Sequence, residues 1–247
     1  ETLFQVGLLG LLNPGLSYTL SLLGLALTTA SASSLLWAAE PILIVALAWL
    51  LLREQLSAPL IVFSVVALTG VILISGLATD QIAASSLMGN MLILAGVACC
   101  ALYSVLARRI SPTIDPLLAV TMQQAFALLW AFCLWLVQYL AGNALPHTPF
   151  ALQTWLSAAL SGMVYYGLAF WFYLHGLTRV KASLAGVFIN LTPFFGIGGA
   201  YFFLNEQLSL IQWMGGGVIL ASVFGILLST DATLKQESRL AKRPRTE

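Results

Sequence analysis

Residues 51–57 read LLREQLS, and residues 203–209 read FLNEQLS. A chain with few charges writes Glu-Gln-Leu-Ser twice, each time behind a long apolar run, and the copies stand 152 residues apart. Sliding residues 10–74 onto 162–226 at that offset extends the match without a gap. Gly10 meets Gly162, Gly15 meets Gly167 and Gly24-Leu25 meets Gly176-Leu177. Ala30-Ser31 meets Ala182-Ser183, Pro41 meets Pro193, and Glu54 meets Glu206. Glycine and proline each set what the backbone can do, so their coincidence at a constant offset implies shared backbone geometry. The chain reads as an internal duplication.

Composition decides the solvent. Of 247 residues, 60% are hydrophobic and 8% are charged, against about 25% charged in an ordinary soluble domain. So few charges cannot cover a water-exposed surface, whereas apolar stretches of about 20 residues match a hydrocarbon core about 30 Å thick. The runs are continuous and do not alternate with period two, which favours helices over barrel strands. The predicted fold class is an all-α integral membrane protein. Eight membrane helices are predicted, over 3–26, 33–52, 58–77, 87–107, 116–140, 154–176, 183–203 and 210–228.

Loop charge orients them. With the N-terminal edge cytoplasmic, Arg53, Arg108, Arg109, Arg179 and Lys181 fall in cytoplasmic loops. Lys235, Arg239, Lys242, Arg243 and Arg245 fall in a cytoplasmic tail, which accounts for all ten basic residues. The opposite loops carry Asp80, His147 and Glu206 and neither Lys nor Arg, as the positive-inside rule requires. Each copy of the repeat holds three matched helices, with two more between the copies. An offset of five helices is odd, so the copies must face opposite ways, Glu54 at the cytoplasmic side and Glu206 outside. An inverted-topology repeat is a transporter signature, because two pseudo-symmetric halves can open one central site to either side in turn.

The domain reading follows. Residues 1–77 form the last three helices of a first repeat, and 87–228 form a complete five-helix second repeat. Residues 229–247 form a basic cytoplasmic tail, expected to be solvated and largely disordered near anionic headgroups. Completing the symmetry takes two helices before residue 1. A ten-helix parent, five plus five, is therefore expected, and a chain that opens at Glu1 without Met agrees with it.

Two passages share one form: a Gly-Leu pair, small residues, a helix containing Pro, then x-Glu-x-Leu and another apolar helix. They read GLALTTASASSLLWAAEPILIVALAWLLLREQLS and GLTRVKASLAGVFINLTPFFGIGGAYFFLNEQLS. In this form the sequence resembles the drug/metabolite transporter superfamily, EamA type, over nearly the whole chain except the tail. The resemblance implies ten helices around a central cavity and secondary transport, often export, of amino acids, metabolites or drugs. It departs from the family at the absent first pair of helices, and where Arg53 and Asn205 stand in place of the commoner small residue before Glu.

Several side chains stand out against the apolar background. Glu40 is the one acid well inside a predicted helix, about 10 Å from its start at 1.5 Å per residue. A carboxylate there costs several kcal/mol unless it is paired, hydrated or protonated, and no Lys or Arg lies at similar depth. That chemistry suits proton coupling or recognition of a cationic or amino group; a carboxylic acid bonded between helices is the plainer alternative. Trp37 lies three residues earlier on the same helical face, either as an aromatic wall beside the acid or as an interfacial anchor. Pro41 and Pro193 cannot donate to the preceding turn, which frees the carbonyls of Trp37 and Ile189 and breaks the helices. Asn190 is the polar counterpart in the second half. Tyr18, Tyr103, Tyr165 and Tyr166 offer hydroxyls near the expected cavity. Gln123 and Gln124 are read as facing protein, and His175 as a solvated or capping group at a helix end.

The rest of the sequence narrows the alternatives. Cys99, Cys100 and Cys133 sit inside apolar runs without the spacing of a zinc site or a disulfide framework, and are read as small buried residues. A net charge of +1 points to no nucleic-acid partner, and no cofactor or metal is expected. No basic residue at mid-membrane depth is available for phosphate-bearing substrates. There is no Walker motif, and no nucleophile–base pair that would suit a membrane enzyme. The expected partners are a small-molecule substrate, a proton, the lipid bilayer and, as a candidate, a second copy of the chain. The expected location is a cell inner membrane, with both ends cytoplasmic. The predicted function is an exporter of amino acids, small metabolites or drugs by alternating access; a non-transporting membrane scaffold is the rival. Glu54, Ser57, Glu206 and Ser209 are read as structural turn residues, each Ser capping the next helix and each Glu bonding nearby backbone amides.

Overall fold

The computed structural model describes residues 2–28, 33, 36–75, 86–110, 114–142, 152–192, 194, 195, 198, 202 and 210–241. Pro193, Glu206 and Ser209 lie outside the described residues, as do Asp80 and His147. Every regular element among the described residues is helical. The chain begins with α1 (Thr2–Gly10) and α2 (Ser17–Leu25), joined without a loop by the π-helical turn Leu11–Leu16. There follow α3 (Glu40–Leu52), α4 (Ala58–Ser75), α5 (Leu87–Ile110) and α6 (Pro116–Leu140). α7 (Leu152–Gly162) and α8 (Phe170–Leu177) are joined by a second π-helical turn, Met163–Ala169. α9 (Ala182–Ile189) and α10 (Leu210–Ala241) complete the set, giving eight helical rods among the described residues.

Four rods are long and apolar enough to cross a membrane: Leu3–Leu25, Leu87–Ile110, Pro116–Leu140 and Leu152–Leu177. At 1.5 Å per residue each reaches at least about 34 Å, enough for a hydrocarbon core about 30 Å thick. Glu40–Leu52, Ala58–Leu73 and Trp213–Ser229 are shorter apolar helices. The outward faces are apolar: Leu128, Trp155, Leu156 and Leu160 are all exposed. Apolar surface of this extent suits burial in hydrocarbon or against further helices.

The structure corrects the sequence reading in three places. The helix expected over 33–52 is interrupted at Ala38–Ala39, and α3 begins at Glu40 with Pro41 in its first turn. Pro41 has no amide to donate, so the helical ladder cannot continue across it. Glu40 therefore sits at a helix start, not inside a continuous helix. The helix expected over 183–203 begins at Ala182, and its first regular run ends at Ile189 with Asn190 as its C-terminal cap. The last helix continues to Ala241, well into the tail read as disordered. Elongating an existing helix avoids the nucleation penalty, and ATLKQESRLA is rich in good helix formers.

The two π-helical turns begin 152 residues apart, at Leu11 and Met163, the offset of the sequence repeat. In the first, Asn13 leaves the helical region altogether (φ −146°, ψ 122°) ahead of Pro14.

Packing uses small residues where rods cross. α2 meets α5 through Ser17, Ser21 and Gly24 against Gly89 and Gly96; a Cβ at Gly24 would lie 2.6 Å from the Gly89 carbonyl oxygen. In a bilayer, where apolar side chains gain nothing by leaving lipid, this close approach is a main source of helix association. Ile44, Ala48, Ala101, Val105 and Ala182 bind α3, α5 and α9 into one cluster. Leu60, Val187, Val223 and Ile226 join α4, α9 and α10.

One end of the bundle is tied by polar bonds. The Glu54 carboxylate accepts hydrogen bonds from the backbone amides of Ala182 (3.0 Å) and Ser183 (3.2 Å) at the start of α9, and from the Ser183 hydroxyl (2.5 Å). The Arg108 guanidinium, near the end of α5, donates to the Leu177 carbonyl at the end of α8. Asp115 caps α6 through the amides of Leu117 (2.9 Å) and Leu118 (3.1 Å), ahead of a proline in the first turn that has no amide to satisfy.

Candidate functional site

A cavity of about 670 Å³ opens between α2, the start of α3, α5, the second π-helical turn, α8 and the end of α9. Glu40, Trp37 and Tyr18 line it from the first part of the chain, Cys100 and Tyr103 from α5, and Asn190 from the end of α9. Among the described residues, Glu40 is the one charged side chain in the lining.

The breaks in the helices put these groups here. Because Pro41 interrupts the rod, Glu40 lies in the first turn of α3, where unpaired amides and the helix dipole favour an acid. Glu40 is nine-tenths buried, and the Cys100 thiol donates to its Oε1 at 3.2 Å. Pro41 itself lines the cavity. The turn at Asn13 turns that amide inward, and its Oδ1 is buried without a hydrogen-bond partner among the described residues. The Nδ2 of Asn190 is likewise buried and unpartnered. Polar atoms left so are rare in folded proteins, and both residues line the cavity.

An aromatic group forms one wall. The Tyr18 ring lies 6.4 Å from Trp37 at an interplanar angle of 61° and 6.1 Å from Tyr166 at 63°. The hydroxyls of Tyr18 and Tyr165 are hydrogen-bonded. Tyr103, fully buried on α5, donates to Gln123 Oε1 at 3.0 Å and packs against Phe170 at 6.1 Å. Gln123 thus faces protein, as read from the sequence.

The structure departs from the sequence reading at two further residues. Tyr166 is outside the lining and its neighbour Tyr165 is inside it. A π-helical turn widens the local helix and rotates the residues within it, which a regular helical wheel cannot anticipate. Glu54 does not bond amides of its own turn but those of α9, 128 and 129 residues away. Ser57 does cap locally, over the Leu60 amide at 3.4 Å. Arg53 occupies the left-handed region (φ 53°, ψ 34°), which explains why a small residue suits that position better.

Asn13 and Cys100 were not singled out as cavity residues in the sequence. The Asn-Pro pair inside an apolar run was a visible signal for the first; nothing in the sequence placed the second beside Glu40. One pattern could have found most of the lining. Asn13 and Tyr165, Tyr18 and Phe170, Trp37 and Ile189, Ala38 and Asn190, and Glu40 and Thr192 all line the cavity, and each pair is separated by 152 residues.

A helical bundle with an apolar exterior and an internal cavity at helix breaks defines a multi-pass membrane protein. The chain belongs to the EamA-like transporter family, whose model matches residues 1–76 and 87–228. It is 28% identical over 205 residues to an uncharacterized transporter, YetK, of Bacillus subtilis (strain 168). That alignment covers 82% of this chain and 61% of the relative's length. A solved crystal structure superposes with a TM-score of 0.74 at 20% identity, covering 92% of this chain and 76% of the other; it establishes the likeness of fold.

Proposed function

We propose that the protein moves small organic metabolites or drugs across the membrane as a secondary transporter, with export as its direction and a proton on Glu40 as its coupling ion. The observation that carries this reading is the cavity lined by residues paired at the repeat offset, with one acid among them. Two halves that share a site can expose it to either side by rocking against one another. The coincident π-helical turns support that pairing. So does the end where Glu54 meets Ala182: α3 arrives at the end from which α9 departs, as oppositely directed repeats require. The same end gathers Arg53, Arg108 and Lys181, which supports a cytoplasmic assignment there under the positive-inside rule. A cell inner membrane with both chain ends cytoplasmic fits that assignment.

The five-plus-five arrangement draws support from the glycines. Gly10 and Gly15 press against α6, and Gly24 against α5. Their repeat mates Gly162, Gly167 and Gly176 have nothing within 4 Å of a Cβ position among the described residues. A small-residue face of this kind suits close packing against another helix, and the symmetry assigns it a helix pair equivalent to α5 and α6.

The test is efflux of a panel of amino acids and cationic drugs from cells expressing the full-length gene product, compared between wild type and Glu40→Gln across pH. Loss of efflux in the variant supports the role of Glu40. Identical behaviour for every transported compound at every pH removes it.

A further inference from the structure

We infer that the groove at the end of α3 is a seat for the headgroup phosphate of an anionic phospholipid of the cytoplasmic leaflet, held between Arg53 and Lys181. The site is separate from the central cavity and does not depend on what that cavity carries. Trp49, Leu50, Arg53, Glu54 and Gln55 line a groove of about 290 Å³. Trp49 is 60% exposed and Leu50 64%, so the groove opens toward lipid and not into the bundle. Its volume lies at the small end of ligand sites. That is room for a headgroup, with the acyl chains left to run along Trp49 and Leu50.

The fold assembles positive charge there. Arg53 directly precedes Glu54, and Lys181 directly precedes Ala182. The 3.0 Å bond from the Ala182 amide to the Glu54 carboxylate therefore brings two exposed basic residues from distant parts of the chain to one spot on the surface. The Glu54 carboxylate is spent on the α9 amides and the Ser183 hydroxyl. Asp115, the other described acid at this end, caps α6. Positive charge is left in excess, and Arg108, Arg109 and Arg179 add to it. A phosphodiester supplies the matching negative charge, and Arg and Lys are the side chains suited to bind it.

Arg53 holds a backbone conformation that disfavours it. At φ 53° and ψ 34° its Cβ crowds the following carbonyl, and Gly or Asn would sit there at less cost. A residue kept against its backbone preference points to a use for its side chain. The repeat makes the same point. The mates of Arg53 and Lys181 at the 152-residue offset are Asn205 and Thr29, both neutral. The repeated turn sequence thus accepts uncharged residues at both positions, and the basic pair belongs to one side of the membrane. Anionic lipids give the cytoplasmic leaflet its negative surface potential. A phosphate between Arg53 and Lys181 also links the end of α3 to the start of α9, beside the Glu54 bond, so bound lipid should stabilise that junction.

Native mass spectrometry and thermal unfolding of the purified full chain in detergent test the inference. The probes are phosphatidylglycerol, phosphatidylcholine of the same acyl chains, and inorganic phosphate. Each basic residue at an anionic surface contributes about a fivefold preference. Phosphatidylglycerol is therefore expected to bind at least about tenfold more tightly than phosphatidylcholine and to raise the melting midpoint. Arg53→Asn and Lys181→Thr copy the repeat mates, and Asn tolerates the left-handed backbone, so the fold is kept. Each should lower the preference by about fivefold, and together they should abolish it. Arg109→Gln, elsewhere at the same end, should leave the preference intact. Equal binding of phosphatidylcholine overturns the inference. So does a preference that survives the double substitution, or one that falls as far in Arg109→Gln. Stabilisation by inorganic phosphate equal to that by phosphatidylglycerol makes the occupant a soluble anion and overturns it too.

Discussion

Glu54 and Ser183 stand 129 residues apart in the chain, yet the Ser183 hydroxyl donates to the Glu54 carboxylate at 2.5 Å and the Ser183 amide donates to it at 3.2 Å. With the Ala182 amide at 3.0 Å, one acid satisfies two of the free amides at the start of α9. A motif that looks like a local turn is a tie between the parts of the chain on either side of the cavity.

Removing that tie should be measurable. Glu54→Ala leaves these donors without their acceptor, a loss of about 1–3 kcal/mol for each group that stays buried and unsatisfied. Its midpoint of thermal unfolding in detergent should fall by several degrees. Glu54→Gln keeps one acceptor and should lie between, and Ser183→Ala should cost about 1 kcal/mol. A double-mutant cycle between the two positions should show coupling; additive effects would mean that the contact contributes nothing.

The coupling role given to Glu40 predicts a pH profile. One carboxyl group holds either a proton or a bound cation, so wild-type transport should vary with pH. Gln cannot titrate, so Glu40→Gln should flatten the profile and reduce uptake of a cationic substrate by at least about tenfold, in line with loss of a desolvated charge partner. Proteoliposome flux at several external pH values provides the measurement, and an unchanged profile in Glu40→Gln contradicts the coupling.

The glycine pairs predict an asymmetric response to the same change. A side chain at Gly24 would run into the Gly89 carbonyl oxygen 2.6 Å away, whereas Gly176 has nothing within 4 Å of a Cβ position among the described residues. Gly24→Val should therefore unfold the chain or lower its melting temperature markedly, while Gly176→Val in the same chain should be nearly neutral. If a helix pair docks on that face, Gly176→Val becomes damaging in its presence. Fluorescence-detected size exclusion with a temperature ramp reads both cases.

Tyr103→Phe removes the donor to Gln123 Oε1 at 3.0 Å. Bonds of this kind between membrane helices average about 0.6 kcal/mol and reach about 1.7, so a melting shift of a few degrees is expected. Substituting Gln123→Leu as well should recover part of it, since no buried amide is then left unsatisfied. A further loss in the double variant would show that Gln123 has another necessary partner.

Much of this was legible in the linear chain because it depends on local or periodic properties. Hydropathy marked the rods, and the matched prolines marked helix breaks, but only the structure put Glu40 at a helix start. What the sequence left undecided depends on geometry. Tyr165 and Tyr166 are neighbours, and only the widened turn between Met163 and Ala169 decides which one lines the cavity. Cys100 looked like a small filler until α5 brought its thiol to Glu40.

The solvent, the helical class and the 152-residue offset follow from composition and spacing, since burying an apolar run in lipid requires no knowledge of its neighbours. Partner choice is another matter. That Glu54 reaches α9, and that α2 meets α5 through Gly24 and Gly89, depends on which small residues let two backbones approach. Hydrophobicity cannot encode that choice, because in a bilayer every apolar face is equally content with lipid. Folding made it through close packing and a few directed hydrogen bonds, and the cavity around Glu40 is what those contacts left open.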